Sequence, residues 1–383
     1  MPRRIELLDV LRGVAILGTL GTNIWLFANA GNLNALFGAN TYQAGLEYAL
    51  QQATLFFTNG KFLGMLTILF GMGLELQYQS ARRRSVPFLP AYLWRATLLF
   101  LDGLLHFALV IEFDILMGYA VTAMIVAFVV TRPERVQRAA MWAAGGLHLL
   151  LVTGLSALLW TLPPDELERS VGSSSLSQAY LNGSYWDGVV ARLTHFWEWR
   201  AEPIFVIPMG VALFLFGAHL FRSGAFSNTP EGSRITGLMM RWGLGLGVPL
   251  NLLALEPSLG LDIFGRYVFA PIMAVGYIGL IAQIVQRGWL ARAQNAVALV
   301  GRMALSNYMG QGVMASILFY GWGFGLARQP NAFVALAAWL GISAVLLVVS
   351  RLWLARFKQG PFETVWKYLS ELPFKRQRLE PQP

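Results

Sequence analysis

Residues 95–120 read RATLLFLDGLLHFALVIEFDILMGYA, and the way Asp102, His106, Glu112 and Asp114 sit in or beside apolar runs decides how the rest of the chain is read. Ionisable side chains inside a segment long enough to span a membrane are costly and therefore usually functional. On a helix, Arg95, Asp102 and His106 share one stripe, because steps of seven and four residues return to nearly the same face. The opposite face is Leu and Phe. Only Glu112 and Asp114 separate this run from a second apolar one, so the stretch reads as a helical hairpin with acids at its tip. His106 falls about two turns below that tip, within reach of Asp114. The plain structural alternative pairs Asp102 with Arg95 or Arg12 and makes His106 a satisfied core histidine.

The composition around this hairpin agrees with it. Of 383 residues, 56% are hydrophobic and only 13% charged, with a mean hydropathy of +0.53, whereas a soluble domain carries roughly a quarter charged residues. Apolar runs of spanning length fall at 10–30, 61–79, 92–111, 113–131, 139–161, 203–221, 236–255, 266–286, 295–320 and 332–354. The expected fold is an all-α polytopic membrane protein of about ten transmembrane helices, one integral membrane domain over 1–383. Of 29 Lys and Arg, 23 fall in alternate connections or the helix ends nearest them, a bias that places both termini in the cytoplasm. The long connection 162–202 is then extracytoplasmic, with one short amphipathic helix. Residues 355–383 form a basic amphipathic tail on the cytoplasmic leaflet.

Several function classes fall away. The net charge of +9 is spread between apolar runs rather than gathered in one basic domain, which argues against a nucleic-acid partner. There is no Cys, and the four His show no metal-ligand spacing, so no metal is expected. The N-terminal MPRRIELLDVLRGVAILG lacks a cleavage site and reads as an uncleaved first helix.

Other spans carry further polar groups. In the first, Asp9 and Arg12 are an i, i+3 pair, and Asn23 lies eleven residues beyond Arg12 on the same face. Snorkelling of Arg12 and helix glue at Asn23 are the structural alternative. The second span holds Gly64, Gly71 and Gly73, a packing pattern, and Glu75, which can pair with Arg82, Arg83, Arg84 or Arg12. The run RWGLGLGVPLN at 241–251 marks a kinked or locally unwound helix, from cavity lining or from tight packing. In GRMALSNYMGQG, Arg302 and Ser306 share one face and Asn307 and Gln311 the adjacent one, more polarity than helix glue requires.

Taken together, DVLRGVAILG with Asn23, KFLGMLTILFGMG, HFALVIEFDILMGYA, GRMALSNYMGQ and QGPFETVWKYL resemble the YeiB-like bacterial inner-membrane proteins nearly end to end. More distantly, Asp9-x-x-Arg12 and the position eleven beyond it resemble the first helix of the transmembrane acyltransferases, which include heparan-α-glucosaminide N-acetyltransferase and bacterial sugar O-acyltransferases. That likeness implies a transmembrane-acyltransferase-like bundle in the inner membrane, moving an acyl group from cytoplasmic acyl-CoA to an extracytoplasmic acceptor. The bacterial O-acyltransferases have histidine where this chain has Asn23. The glucosaminide enzyme has asparagine there and histidine at the position of Asn34, so His106 would have to take the histidine's role.

On this reading His106, Asp114 and Asn23 are the candidate catalytic residues, and Arg12, Arg82, Arg83, Arg84 and Arg95 dock acyl-CoA. Asp9, Glu75, Asp102, Arg302, Ser306, Asn307 and Gln311 line the substrate cavity. The partners are membrane lipid and a small-molecule acceptor or solute; the oligomeric state is open, a homodimer included. The second reading is a transporter or exporter of a small polar or anionic solute, with Asp102, His106 and Asp114 as a proton relay.

Overall fold

Apolar segments that leave water must satisfy their backbone hydrogen bonds internally, and among the described residues every regular element is helical. The computed structural model describes residues 3–36, 45–161, 175–197, 200, 202–255 and 259–375. The helices are α1 (Arg3–Ala28), α2 (Leu46–Thr58), α3 (Lys61–Arg83), α4 (Phe88–Leu109), α5 (Leu116–Val130) and α6 (Glu134–Thr161). After them come α7 (Ser175–Asn182), α8 (Tyr185–Thr194), α9 (Pro203–Arg222) and α10 (Pro230–Leu253). A π-helical turn, Gly265–Phe269, joins α11 (Leu259–Phe264) to α12 (Ala270–Gln286). The chain closes with α13 (Ala291–Arg302), α14 (Ala304–Phe319), α15 (Ala332–Arg356) and α16 (Pro361–Lys375).

Among the described residues seven helices are long and apolar enough to cross a membrane: Glu6–Ala28, Leu46–Arg83, Phe88–Leu109, Glu134–Thr161, Pro203–Arg222, Leu261–Gln286 and Ala332–Arg356. The protein is an all-α polytopic membrane protein. Helix α3 runs through its middle, against α1, α9 and α12. Close approach of backbones makes this possible: a Cβ on Gly71 would lie 2.1 Å from the Phe214 carbonyl oxygen, and one on Gly217 would lie 2.1 Å from that of Ile68. Without a hydrophobic drive between helices in lipid, such small-residue contacts supply the packing energy.

The ten expected runs are all helical, with revisions that have physical causes. The second starts at Leu46 rather than 61, because α2 continues almost directly into α3 through Asn59 and Gly60. The run 295–320 is divided at Met303, whose φ of −112° and ψ of 35° end α13 and start α14. The helix is not unwound near 241–251: α10 is continuous, with Pro249 inside it near its C-terminal end. Its glycines serve tight packing, since a Cβ on Gly243 would lie 2.2 Å from the Gly276 nitrogen of α12.

Helix α16 of the amphipathic tail docks on the bundle, where Trp94 Nε1 donates to the Leu369 carbonyl at 3.0 Å. Glu363 accepts from the backbone N–H groups of Leu305 at 2.8 Å and Ser306 at 3.1 Å, capping the start of α14. The connection 162–202 carries two short helices, α7 and α8, rather than one; its residues 162–174 lie outside those described, as does the basic end of the tail after Lys375. Below, the end where α1, α4 and α14 begin is called the near end. The end where the α4–α5 link meets α7 and α8 is the far end.

Candidate functional site

The hairpin tip is held by its own acid. Asp114 Oδ1 accepts from the N–H groups of Leu116 at 2.8 Å and Met117 at 3.2 Å, satisfying two free donors at the start of α5. This fixes the carboxylate so that Oδ2 faces His106 Nδ1 at 2.8 Å, with side-chain exposures of 1% for His106 and 0% for Asp114. A ring nitrogen facing a carboxylate carries the proton, which leaves Nε2 as the lone pair. That Nε2 is buried and has no hydrogen-bond partner. The space beside it exists because residue 312 is glycine: a Cβ there would lie 3.1 Å from Nε2. One turn earlier on α14, Tyr308 sets its ring 5.1 Å from that of His106 and its hydroxyl 3.5 Å from Asp114 Oδ2.

Tyr308 also lines the inner end of a cavity of about 540 Å³ that opens at the near end. The mouth of this cavity gathers Arg12, Arg95, Arg302 and Lys367, its body is apolar through Leu66, Leu69, Phe70 and Leu99, and it ends at Leu116, Tyr119 and Tyr308. Helix α16 forms part of its wall: Trp366 lies under the Arg95 guanidinium at 5.3 Å, and its buried Nε1 has no acceptor. Arg95 Nη1 donates to Gln77 Oε1 at 2.5 Å, and Arg12 pairs with Asp9 at 3.7 Å. The acid at this mouth, Glu363, is engaged in capping α14. A cationic rim over an apolar throat suits an amphiphile with an anionic head. His106 does not itself line the cavity; Tyr308 stands between them.

Other residues expected at the site fall elsewhere. Glu75 is not part of the cavity: its Oε2 accepts from Arg222 at 3.0 Å and its Oε1 from Gln79 at 2.8 Å, while Arg222 also donates to Gln137 Oε1 at 2.8 Å. It ties α3 to α9 and α6. Arg82, Arg83 and Arg84 are exposed at the end of α3 and are not among the cavity's lining residues. Asn307 donates to the Val300 carbonyl at 3.0 Å and to Ser350 Oγ at 2.9 Å, a splice between α13, α14 and α15. Ser306 donates to Glu363 Oε2 at 2.5 Å and so holds α16. Gln311 is buried with both amide atoms unpartnered. Asn23 is half-buried and outside the cavity lining, and Asp102, one turn below His106, keeps a buried Oδ2 with no partner.

The far end holds a buried network that sequence reasoning did not assemble. The Tyr180 hydroxyl donates to Glu112 Oε2 at 2.5 Å and accepts from Arg192 Nη1 at 2.8 Å, while Arg192 Nε donates to the Ala108 carbonyl at 3.0 Å. Tyr320 stacks on Tyr180 with ring centroids 4.0 Å apart. Burial pushes the Glu112 carboxyl above the usual glutamate range, and Tyr180's hydrogen bond offsets only part of that. Arg200 grips the hairpin tip from the same end, donating from Nη1 to the Asp114 carbonyl at 2.8 Å. The only sequence signal was the pair of arginines in an otherwise polar loop, and nothing in it said that α7 and α8 fold back over the tip.

The chain is similar to proteins already grouped by sequence. The family described as "Protein of unknown function (DUF418)" matches residues 220–373. The uncharacterised protein YeiB of Escherichia coli (strain K12) is 29% identical over 97% of this chain and 97% of its own length. YxaH of Bacillus subtilis (strain 168), likewise uncharacterised, is 26% identical over 97% of this chain and 96% of its own. Over nearly its whole length the chain is similar to the YeiB-like proteins. The 220–373 match covers the Arg302, Tyr308 and Trp366 side of the cavity, whereas His106 and Asp114 precede it. The pairwise matches extend over nearly all of the chain and so include both parts of the site.

Proposed function

We propose that this protein is an acyltransferase of the bacterial inner membrane, with both termini in the cytoplasm, that moves an acyl group from cytoplasmic acyl-CoA to an acceptor reaching the hairpin tip from outside. The observation that supports the reading is a four-cation mouth and an apolar throat that end at Tyr308, whose ring lies against a buried His106–Asp114 pair with an unpartnered Nε2. The arginine asymmetry of the connections supports the sidedness. The likeness of Asp9-x-x-Arg12 to transmembrane acyltransferases supports the chemistry.

Arg12, Arg95, Arg302 and Lys367 would hold the CoA phosphates, with the thioester arm along the throat. From Arg95 to His106 the rise is about 16 Å, eleven residues of α4, comparable with the length of a pantetheine arm. At the inner end the acceptor's O–H or N–H gives its proton to His106 Nε2 as its oxygen or nitrogen bonds to the thioester carbon. The carbon–sulfur bond then breaks, and the imidazolium returns the proton to the departing thiolate. Asp114 holds the ring in the required tautomer and stabilises its charged form. Tyr308 must swing aside for the thioester to reach Nε2.

One observation favours a transporter as the second reading. The unpartnered Asp102 Oδ2 lies one helical turn before His106 on α4, and His106 contacts Asp114, three titratable groups of the kind a proton relay uses. Thiol release from acyl-CoA by the detergent-solubilised protein, with His106→Gln beside wild type, separates the two. Acyl transfer predicts a loss of ~100-fold or more in rate at unchanged CoA affinity. Undiminished thiol release by His106→Gln would sink the assignment, and no release by wild type with any acceptor would turn the case to transport.

A further inference from the structure

Arg200 is held at the hairpin tip in a way that leaves half of it idle. Its Nη1 donates to the Asp114 carbonyl and its guanidinium lies 4.2 Å over the Phe107 ring, but Nε and Nη2 are buried and bonded to nothing. Among the described residues no carboxylate lies within ion-pair distance of it, unlike Arg222 or Arg266, each of which has an acid partner. Nε and Nη2 form the side of a guanidinium that takes two oxygens of a carboxylate or phosphate in parallel hydrogen bonds. Two buried guanidinium donors left unmet are costly unless something completes them. Asp114 links this idle fork to the idle Nε2 of His106, since the carboxylate holds the imidazole and the carbonyl of the same residue holds the arginine.

We propose that the Nε–Nη2 edge of Arg200 binds an oxyanion, carboxylate or phosphate, carried by the second substrate. That substrate enters from the far end and presents a hydroxyl or amine to His106 from the side opposite the throat. Calling it the acyl acceptor rests on the acyl-transfer reading; the anion site itself does not. Phe107 backs the guanidinium with an apolar face, which keeps its edge rather than its plane available. A lysine in place of Arg200 would keep the charge and lose the fork.

The test is the thermal midpoint of the purified protein, without any acyl donor, in acetate, succinate, inorganic phosphate or glycerol 3-phosphate against chloride at equal ionic strength. At least one oxyanion should raise the midpoint, by about 2 °C at ten times its dissociation constant and thereafter with the logarithm of its concentration. Arg200→Lys should weaken that response at least ~10-fold, and His106→Gln should leave it intact while removing turnover. If no oxyanion shifts the wild-type midpoint, or if Arg200→Lys responds like wild type, the site is wrong. A variant too unstable to purify leaves the wild-type panel to decide. A failed donor assay with a positive anion response would overturn acyl transfer and keep the anion site; the reverse result would do the opposite.

Discussion

Removing Glu75 separates structural from catalytic polarity at the residue scale. Its carboxylate is 2% exposed and satisfies Arg222, whose side chain is 28% exposed, so Glu75→Ala should cost about 2 kcal/mol, less than a fully buried pair because Arg222 keeps some water. A chemical-denaturation curve checks this, and an unchanged midpoint would mean that Gln137 alone holds Arg222. The pH dependence of stability makes a second statement at this scale. The buried Glu112 is harder to ionise in the folded protein than in the unfolded chain, where its value is 4.5. Its contribution is therefore full below 4.5 and is lost as pH rises through the raised folded value. Asp187 has the opposite sign: hydrogen bonds from Ser184 lower its folded value below 3.8, so its contribution holds above 3.8 and fades as pH falls through the lowered value. Thermal midpoints taken upward from pH 4.5 should fall for wild type and fall less for Glu112→Gln; parallel curves would show that Glu112 does not carry the effect. The His106–Asp114 contact was readable because both residues lie in one hairpin, eight positions apart. Glu75 was misjudged because its partner Arg222 is 147 residues away, and no local spacing encodes that meeting.

Elements are where the glycines divide. In GRMALSNYMGQG, Gly301 faces α1 so closely that a Cβ would sit 1.8 Å from the Asp9 carbonyl oxygen, whereas Gly310 has nothing within 4 Å. Gly301→Ala should force α1 and α13 apart at a cost of roughly 1–3 kcal/mol. Gly310→Ala should be neutral or slightly stabilising, within about 0.5 kcal/mol, because it only lowers the cost of ordering the helix. Paired melting curves decide it; equal losses would mean that the α1–α13 contact is not as close as described. Helix existence was legible from apolar run length alone, since lipid leaves the backbone few other choices. The docking of α16 was not, because its amphipathic pattern fits a leaflet surface as well as a protein one. What decides is Glu363 meeting the first turn of α14 and Trp94 meeting Leu369, contacts between segments that sequence spacing does not join.

Over the whole molecule, the near end concentrates cations around an apolar throat while the far end folds two short helices over a buried Glu–Tyr–Arg network. The hairpin tip lies between, gripped by Tyr308 from one side and Arg200 from the other. The proposed acyl transfer uses this asymmetry, with the near end as donor side and the far end as acceptor side, and it stands or falls with the cationic mouth. The most direct measurement is equilibrium binding of radiolabelled CoA to the purified protein, alongside Arg95→Glu and Arg302→Glu. The account predicts saturable binding by wild type, weakened at least ~10-fold by either charge reversal and unaffected by His106→Gln. Absence of saturable binding, or binding that both reversals leave untouched, would contradict it.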